Sequence, residues 1–526
     1  MKRLVIGALL TATSAYPAIA SLGVGDKAVD FRAKAPHTGQ AATAKPAALG
    51  QVGTSPAMCG AGDVKEPGIQ GDVPAGQTAN YNCGVKLIGQ LPLVGNVQGV
   101  GKCAYLRTRD GLVHVIDVST PTKPAEVRTV PVKWASETMR VVVTNERAIL
   151  VSGSSVYDIK DCLNPVLKGE IQWPQVHLGG GPPSGGGGGS GQLPHDLRVN
   201  HTGTKVYGSF GLWEADITNL DDPKSWKITD YRCELAAQQP GPWMEFHRLT
   251  LAAGVDLCAD SARNSYTTAG TGLQTAAMWP TLSHSLDDNG DGTRVYVGNQ
   301  QGGTSGRLAG PPKMRIIDMT RRPLKIIGET DGPGHGLDWF RTGGREYVIH
   351  SNEGGTGGAG PPPGAGAGRA PQGGASMLAA AARGAASDTC KPYPRPTALG
   401  WGFEVIVSEV TGDKPHNVSM LRVAINDPEN CQARKASGLD PTVAYHLLDN
   451  PYDAHFAAVN FGSAGLRIYD IRKPETPSEV AYFNHGSLVH GGVGYYDAAR
   501  GLIYAAGSSG FWVLKVEPQV RKRLGL

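Results

Sequence analysis

One recurring phrase restricts the fold of this chain more than any other feature. It is an apolar strand ending in Asp plus an apolar residue, followed by a Pro-containing turn. It reads LVHVIDVSTPTKP at 112–124, SVYDIKDCLNP at 155–165, LWEADITNLDDP at 212–223, MRIIDMTRRP at 314–323 and LRIYDIRKPETP at 466–477. Each copy leads into another strand-like run, such as AEVRTVPV, PVLKGEIQW, KIIGET or SEVAYF, and each follows an apolar-alternating pair with a turn between. Four short antiparallel strands in roughly forty residues, with Asp, Pro and Gly turns, describe one propeller blade. Such a unit cannot bury its apolar faces alone, so the repeats must stack. The 73 glycines, 37 prolines and only 18% charged residues of the 526-residue chain agree with a loop-dense, all-β architecture.

The ends indicate how the stack closes. GVKLIGQLPL (84–93) has the form of a fourth strand with no blade before it. VHGGVGYYDAARGLIYAAGSSGFWVLKVEP (489–518) has the form of three strands with no fourth after them. Together they make one blade, and the closed ring leaves no unpaired sheet edges. The expected fold is a seven-bladed β-propeller of four-stranded antiparallel blades over residues 80–518. The count becomes eight-bladed if residues 243–282, where FHRLTLAAGVDLCADS opens like a blade, form a compact one. Two Gly-rich stretches interrupt the pattern, HLGGGPPSGGGGGSGQ at 177–192 and a low-complexity insert at 354–388. The insert contains GAGAGR, but no strand–helix context makes it a nucleotide loop.

Residues 1–20, MKRLVIGALLTATSAYPAIA, combine a basic pair, a short apolar run and an A-x-A site. They are expected to be a secretory signal peptide, which predicts a periplasmic or secreted protein. Residues 21–79 form a Pro/Gly/Ala-rich N-terminal extension, and no later run is long and apolar enough for a membrane span. Eight cysteines suit an oxidising compartment, and none forms a CxxC pair. Cys233–Cys258 and Cys390–Cys431 are the preferred pairs, because each brackets a segment outside the repeat pattern. A net charge of +4 without clusters excludes a nucleic-acid track, and the basic tail at 519–526 is expected to be solvated.

The phrase HVIDVSTPTKP resembles the LVIVD-repeat family of exported bacterial β-propellers. HSLDDNGDGTRVYVG (284–298) is similar to that family's histidine-bearing strand pair, and PENC (428–431) with residues 445–483 resembles its C-terminal blades. The resemblance spans about residues 80–518. It implies the propeller fold and export, with no assigned activity. A more distant likeness, resting on histidine placement, is to the selenium-binding-protein and methanethiol-oxidase propellers, whose inner-strand histidines hold copper.

A histidine stands just before the second apolar run in one repeat after another: His195, His284, His335, His446 and His490, joined by His247 if the compact blade is counted. The corresponding place offers Met139 in one blade and Gln98 in the first. The first strand of a propeller blade lines the central channel, so one repeat position becomes a ring of side chains around the axis. Imidazoles there suit a transition metal; a thioether favours copper, and zinc or iron remains open. The plainer reading is that duplication copied a histidine that only bonds neighbouring carbonyls. His114, His201, His416 and His485 are expected on outer strands or turns, in surface or packing roles.

Other signals are weaker. Asp287-Asp288-Asn289-Gly290-Asp291-Gly292 matches half a calcium loop, but Gly298 stands where the closing Glu belongs, so a hairpin turn is expected. Glu137, Asp338 and Glu353 are possible channel acids with no assigned role. Two functions follow: an axial transition-metal site, such as that of a copper-type oxidoreductase acting on a small molecule, or a non-catalytic scaffold recognising a protein or glycan at the propeller face.

Overall fold

The computed structural model describes residues 57–73, 80–108, 110–133, 138–173, 194, 196–209, 212–231, 234–235, 238, 284–298, 313–332, 334–351, 405–427, 430, 432–433, 446–485, 492–507 and 509–526. These build seven antiparallel sheets. Blade 1 runs outward through Asn96–Val100, Cys103–Arg107, Leu112–Asp117 and Ala125–Pro131. The innermost strands of blades 2 to 7 are Met139–Val143, Leu197–Val199, Ser285–Asp288, Gly336–Thr342, His446–Leu448 and Val493–Asp497. Each innermost strand touches those of the blades before and after it, and the seventh touches the first. The ring is therefore closed, and the seven-bladed fold expected from the repeat is the one observed. Residues 243–282, the 177–192 stretch and the 354–388 insert lie outside the described residues; the insert falls in sequence between Arg345–Ser351 and Val405–Glu409 of blade 5.

The recurring Asp has a local cause. Its carboxylate accepts the backbone N–H two residues on, from Ser119 to Asp117, Lys160 to Asp158, Thr218 to Asp216, Thr320 to Asp318 and Arg472 to Asp470. This Asx turn ends the third strand and redirects the chain to the fourth. The apolar residue after the Asp is buried, and its N–H closes the ladder onto the start of the second strand: Val118 to Lys102, Ile159 to Ala148, Ile217 to Thr204, Met319 to Thr293, Ile471 to His455.

The ring closes where the ends of the chain predicted. Val85–Leu91 pairs with Gly510–Val516 as the outermost strand of blade 7. Just upstream, Tyr81–Cys83 adds a fifth strand to blade 6. Part of the N-terminal extension is thus built into the fold: Cys59 is disulfide-bonded to Cys83, and Glu66 reaches the interior of blade 6. A second disulfide, Cys103–Cys162, ties blade 1 to blade 2, while the Cys233–Cys258 and Cys390–Cys431 pairings lie outside the described residues. The expectation of a solvated tail is corrected. Residues Pro518–Leu524 form a helix that buries Val520 and Leu524 against blades 6 and 7, lays Arg521 on the Ala498 carbonyl and exposes Lys522 and Arg523.

Arg467, wholly buried in blade 6, donates to both carboxylate oxygens of Glu66 and lies 3.6 Å from Glu479. Burial outweighs this pairing for Glu479 and pushes its carboxyl up to about 7. A carboxyl raised in the folded state favours folding below its unfolded value and loses that contribution as pH climbs through 7. Glu479→Gln, which mimics the protonated form, is therefore expected to match the wild type near pH 4 and to exceed it progressively above pH 5. The gain should approach a few kcal/mol, at about 1.4 kcal/mol per pH unit of raised titration; urea unfolding at several pH values checks this.

Candidate functional site

Ladder register shows which side chains share a level on the channel wall. The last acid of each third strand gives the reference: Asp158 pairs with Ile149, Asp318 with Arg294, Glu409 with Tyr347 and Asp470 with Phe456. Three residues further along those second strands, the partners on the innermost strands are Met139, Leu286, Leu337 and His446. Met139 and His446 thus share a level, whereas His284 and His335 stand two residues earlier, roughly 6–7 Å away along the strand. The single histidine position read from the sequence divides into two. The rings of His284 and His335 meet across blades 4 and 5, tilted by 37° with centroids 4.6 Å apart. His195, His247 and His490 lie outside the described residues, as do Glu137 and Glu353.

One residue beyond Met139 and His446 runs a level of which the sequence pointed to Gln98 and Asp338 but not to the other three members. It carries Gln98, Arg140, Arg198, Asp287 and Asp338, all facing a central cavity of about 600 Å³. Charged residues at this level would be costly on an apolar strand unless paired. Arg198 is so paired: its Nε donates to Asp287 Oδ1 at 2.6 Å, and its Nη2 lies 2.5 Å from Asp338 Oδ1. Asp287 also accepts the Trp339 backbone N–H at 2.7 Å. The other Asp338 oxygen meets His446 Nδ1 at 2.7 Å. Burial alone would raise the Asp338 carboxyl, but Arg198 and His446 pull it below the usual carboxylate range. An ionised Asp338 fixes the proton of His446 on Nδ1. The His446 side chain is 0% exposed, and its Nε2 has no hydrogen-bond partner among the described residues.

Past the ends of the innermost strands lies a second cluster. His201, in the turn after Leu197–Val199, holds Nε2 3.6 Å from Asp288 Oδ1 and 3.8 Å from Asp287 Oδ1. Its ring is gripped edge-on by Trp339 and Tyr452, at centroid distances of 5.5 and 5.4 Å. Gly290 makes room for this cage: with φ of +82°, an added Cβ would sit 2.9 Å from Tyr452 and 3.0 Å from Trp339. The half calcium loop is the expected hairpin, closed by Asn289 and Arg294. Burial, reinforced by the Asp287 charge, pushes the Asp288 carboxyl up to about 8, and burial lowers His201.

The surface or packing role expected for His201 is therefore corrected: the turn at that end of the first strand folds over the cavity, and His201 lines it. Among the described residues, the His/Asp group compact enough to share an ion is His201, Asp287 and Asp288. The described histidines of the original position, His284, His335 and His446, form no such trio. One available signal was a three-residue offset: His195, His284 and His335 are each followed three places on by a charged residue, Arg198, Asp287 and Asp338.

No family model matches the chain, and no curated protein matches it. Among solved structures, it is similar to the β-propeller domain of Myceliophteria thermophila Cps50 (Swd1), at 11% identity and a TM-score of 0.43 over 83% of this chain and 100% of that one. It is also similar to a chain of the Mitotic Checkpoint Complex (7% identity, TM-score 0.41, 85% and 97% covered) and to U3-55K (7%, 0.41, 84% and 100%). At these scores the propeller assignment rests on the sheets and their closure, described above. Among the described residues, no helix is long and apolar enough to cross a membrane.

Proposed function

We propose that this chain is an exported propeller of the LVIVD-repeat type whose axial cavity binds a transition-metal ion through His446. One observation supports this reading above the others: a fully buried imidazole in the wall of the cavity has one nitrogen anchored on a carboxylate and the other, itself buried, without a partner among the described residues. Metal-ligating histidines are oriented in this way, by a carboxylate on the far nitrogen. Asp338 is the orienting group, and Arg198 holds Asp338 in turn. Met139 shares the level of His446 but packs in the apolar core between blades 1 and 2, so copper is favoured on the imidazole ligand and not on a thioether beside it. Copper would supply one-electron and dioxygen chemistry for oxidation of a small molecule. The chain's part is to fix the imidazole, keep its proton on Nδ1 and admit a ligand of limited size.

Two substitutions test the reading in chelator competition on purified protein. His446→Ala is expected to abolish stoichiometric copper binding. Asp338→Asn, which leaves the ligand but loosens its support, should weaken binding by about 10–100-fold. A folded wild-type protein that takes up no copper, zinc or iron would instead mark the ring as a scaffold for a protein or glycan.

A further inference from the structure

We propose that His201 and Asp288, closed on a third side by Asp287, form a second cation site that takes a divalent zinc-like ion, separate from the one at His446. The starting point is Asp288. Its side chain is 0% exposed, and among the described residues no side chain donates a hydrogen bond to either carboxylate oxygen, the backbone N–H of His201 being the nearest donor. An unpaired buried carboxylate is among the most costly groups a fold can carry. Arg198 relieves it only through space, because that guanidinium is bound to Asp287 and Asp338. Among the described residues, the only side chain in ion-pair range of Asp288 is His201.

The spacing points to an ion between these groups. His201 Nε2 stands 3.6 Å from Asp288 Oδ1 and 3.8 Å from Asp287 Oδ1, too far for hydrogen bonds. Two ligands held at about 2.1 Å from one tetrahedral ion stand roughly 3.4–3.5 Å apart, so a small inward movement would complete the contacts. One imidazole nitrogen with carboxylate oxygens is a borderline donor set. It suits zinc better than calcium, which takes oxygen ligands alone, or copper(I), which prefers thiolate and thioether. Asp287 Oδ1 already accepts from Arg198 and from the Asp288 backbone, so His201 and Asp288 are the principal ligands, and water completes the set. Trp339 and Tyr452 hold the imidazole edge-on, which limits the ordering cost of binding.

The site does not depend on metal at His446, and the test keeps the two apart. Full-length protein without its leader is stripped with chelator and titrated with Zn²⁺ by calorimetry, then with Co²⁺ as an optical probe. One equivalent of Zn²⁺ should bind to wild type and persist in His446→Ala. Affinity should fall at least ten-fold in Asp288→Asn and in His201→Ala, with loss of the visible cobalt bands. Should Asp288→Asn fail to fold, His201→Ala, altered in a turn and outside the strand ladders, decides alone. Unchanged Zn²⁺ binding in the folded variants, its disappearance only in His446→Ala, or no Zn²⁺ bound by wild type would each overturn the proposal.

Discussion

A chain that begins at residue 93 is expected to lose its cooperative unfolding transition and to aggregate. The truncation removes Val85–Leu91, whose six ladder pairs with Gly510–Val516 complete blade 7. It also removes Tyr81–Cys83, leaving the outer edge of blade 6 bare. Val85 is fully buried, and Leu87, Ile88 and Leu91 pack against the cores of blades 7 and 1. Burial of such side chains is worth about 1.5–3 kcal/mol each, which together approaches the whole stability of an ordinary domain. Two exposed strand edges would then offer templates for intermolecular pairing. Calorimetry and size-exclusion chromatography of the shortened chain check this; a monomer with an unchanged melting temperature would refute the closure argument.

Arg467→Ala is expected to cost about 3–5 kcal/mol, the range for breaking a buried ion pair from one side. Arg467 is 0% exposed, donates to the Ala464 carbonyl as well as to Glu66, and lies over the Tyr482 ring at 4.7 Å. Removing it strands Glu66 and Glu479 in the interior, beside Gln70 and Asn484, whose amides cannot neutralise two carboxylates. The loss should exceed that of the triple variant Arg467→Met/Glu66→Gln/Glu479→Gln, in which no charge is left unpaired. Urea midpoints at constant slope separate the two. Equal losses would show that the charges matter less than the volume of the side chain.

The propeller was legible because its signals are local and repeated. An Asx turn needs its Asp two residues before the N–H it binds, so the phrase ending at Asp117, Asp158, Asp216, Asp318 and Asp470 carries its own geometry. The closing strand was legible because a missing fourth strand at one end matched a spare one at the other. The site was harder to read for a physical reason. A side chain's level on the channel wall is set by pairing between strands, and irregular lead-ins shift that pairing by two residues, as between His335 and His446. The Arg198–Asp287–Asp338 network joins residues up to 140 positions apart, and Glu66 meets Arg467 across 401. The three-residue offset after His195, His284 and His335 marks the members of the first network, but nothing in the chain tells which of them pair or that Glu66 meets Arg467. His201 was set aside because it lies in a turn, although turns at that end of the first strands fold over the cavity.

Anomalous scattering from crystals of protein purified from its native compartment tests the central claim most directly. Data collected on both sides of the copper edge, and of the zinc and iron edges, locate any metal and identify it. A peak is expected about 2.0–2.1 Å from His446 Nε2, with Nδ1 still on Asp338. A well-ordered channel with His446 Nε2 bonded to water or to a protein carbonyl, and no anomalous peak beside it, would contradict the claim.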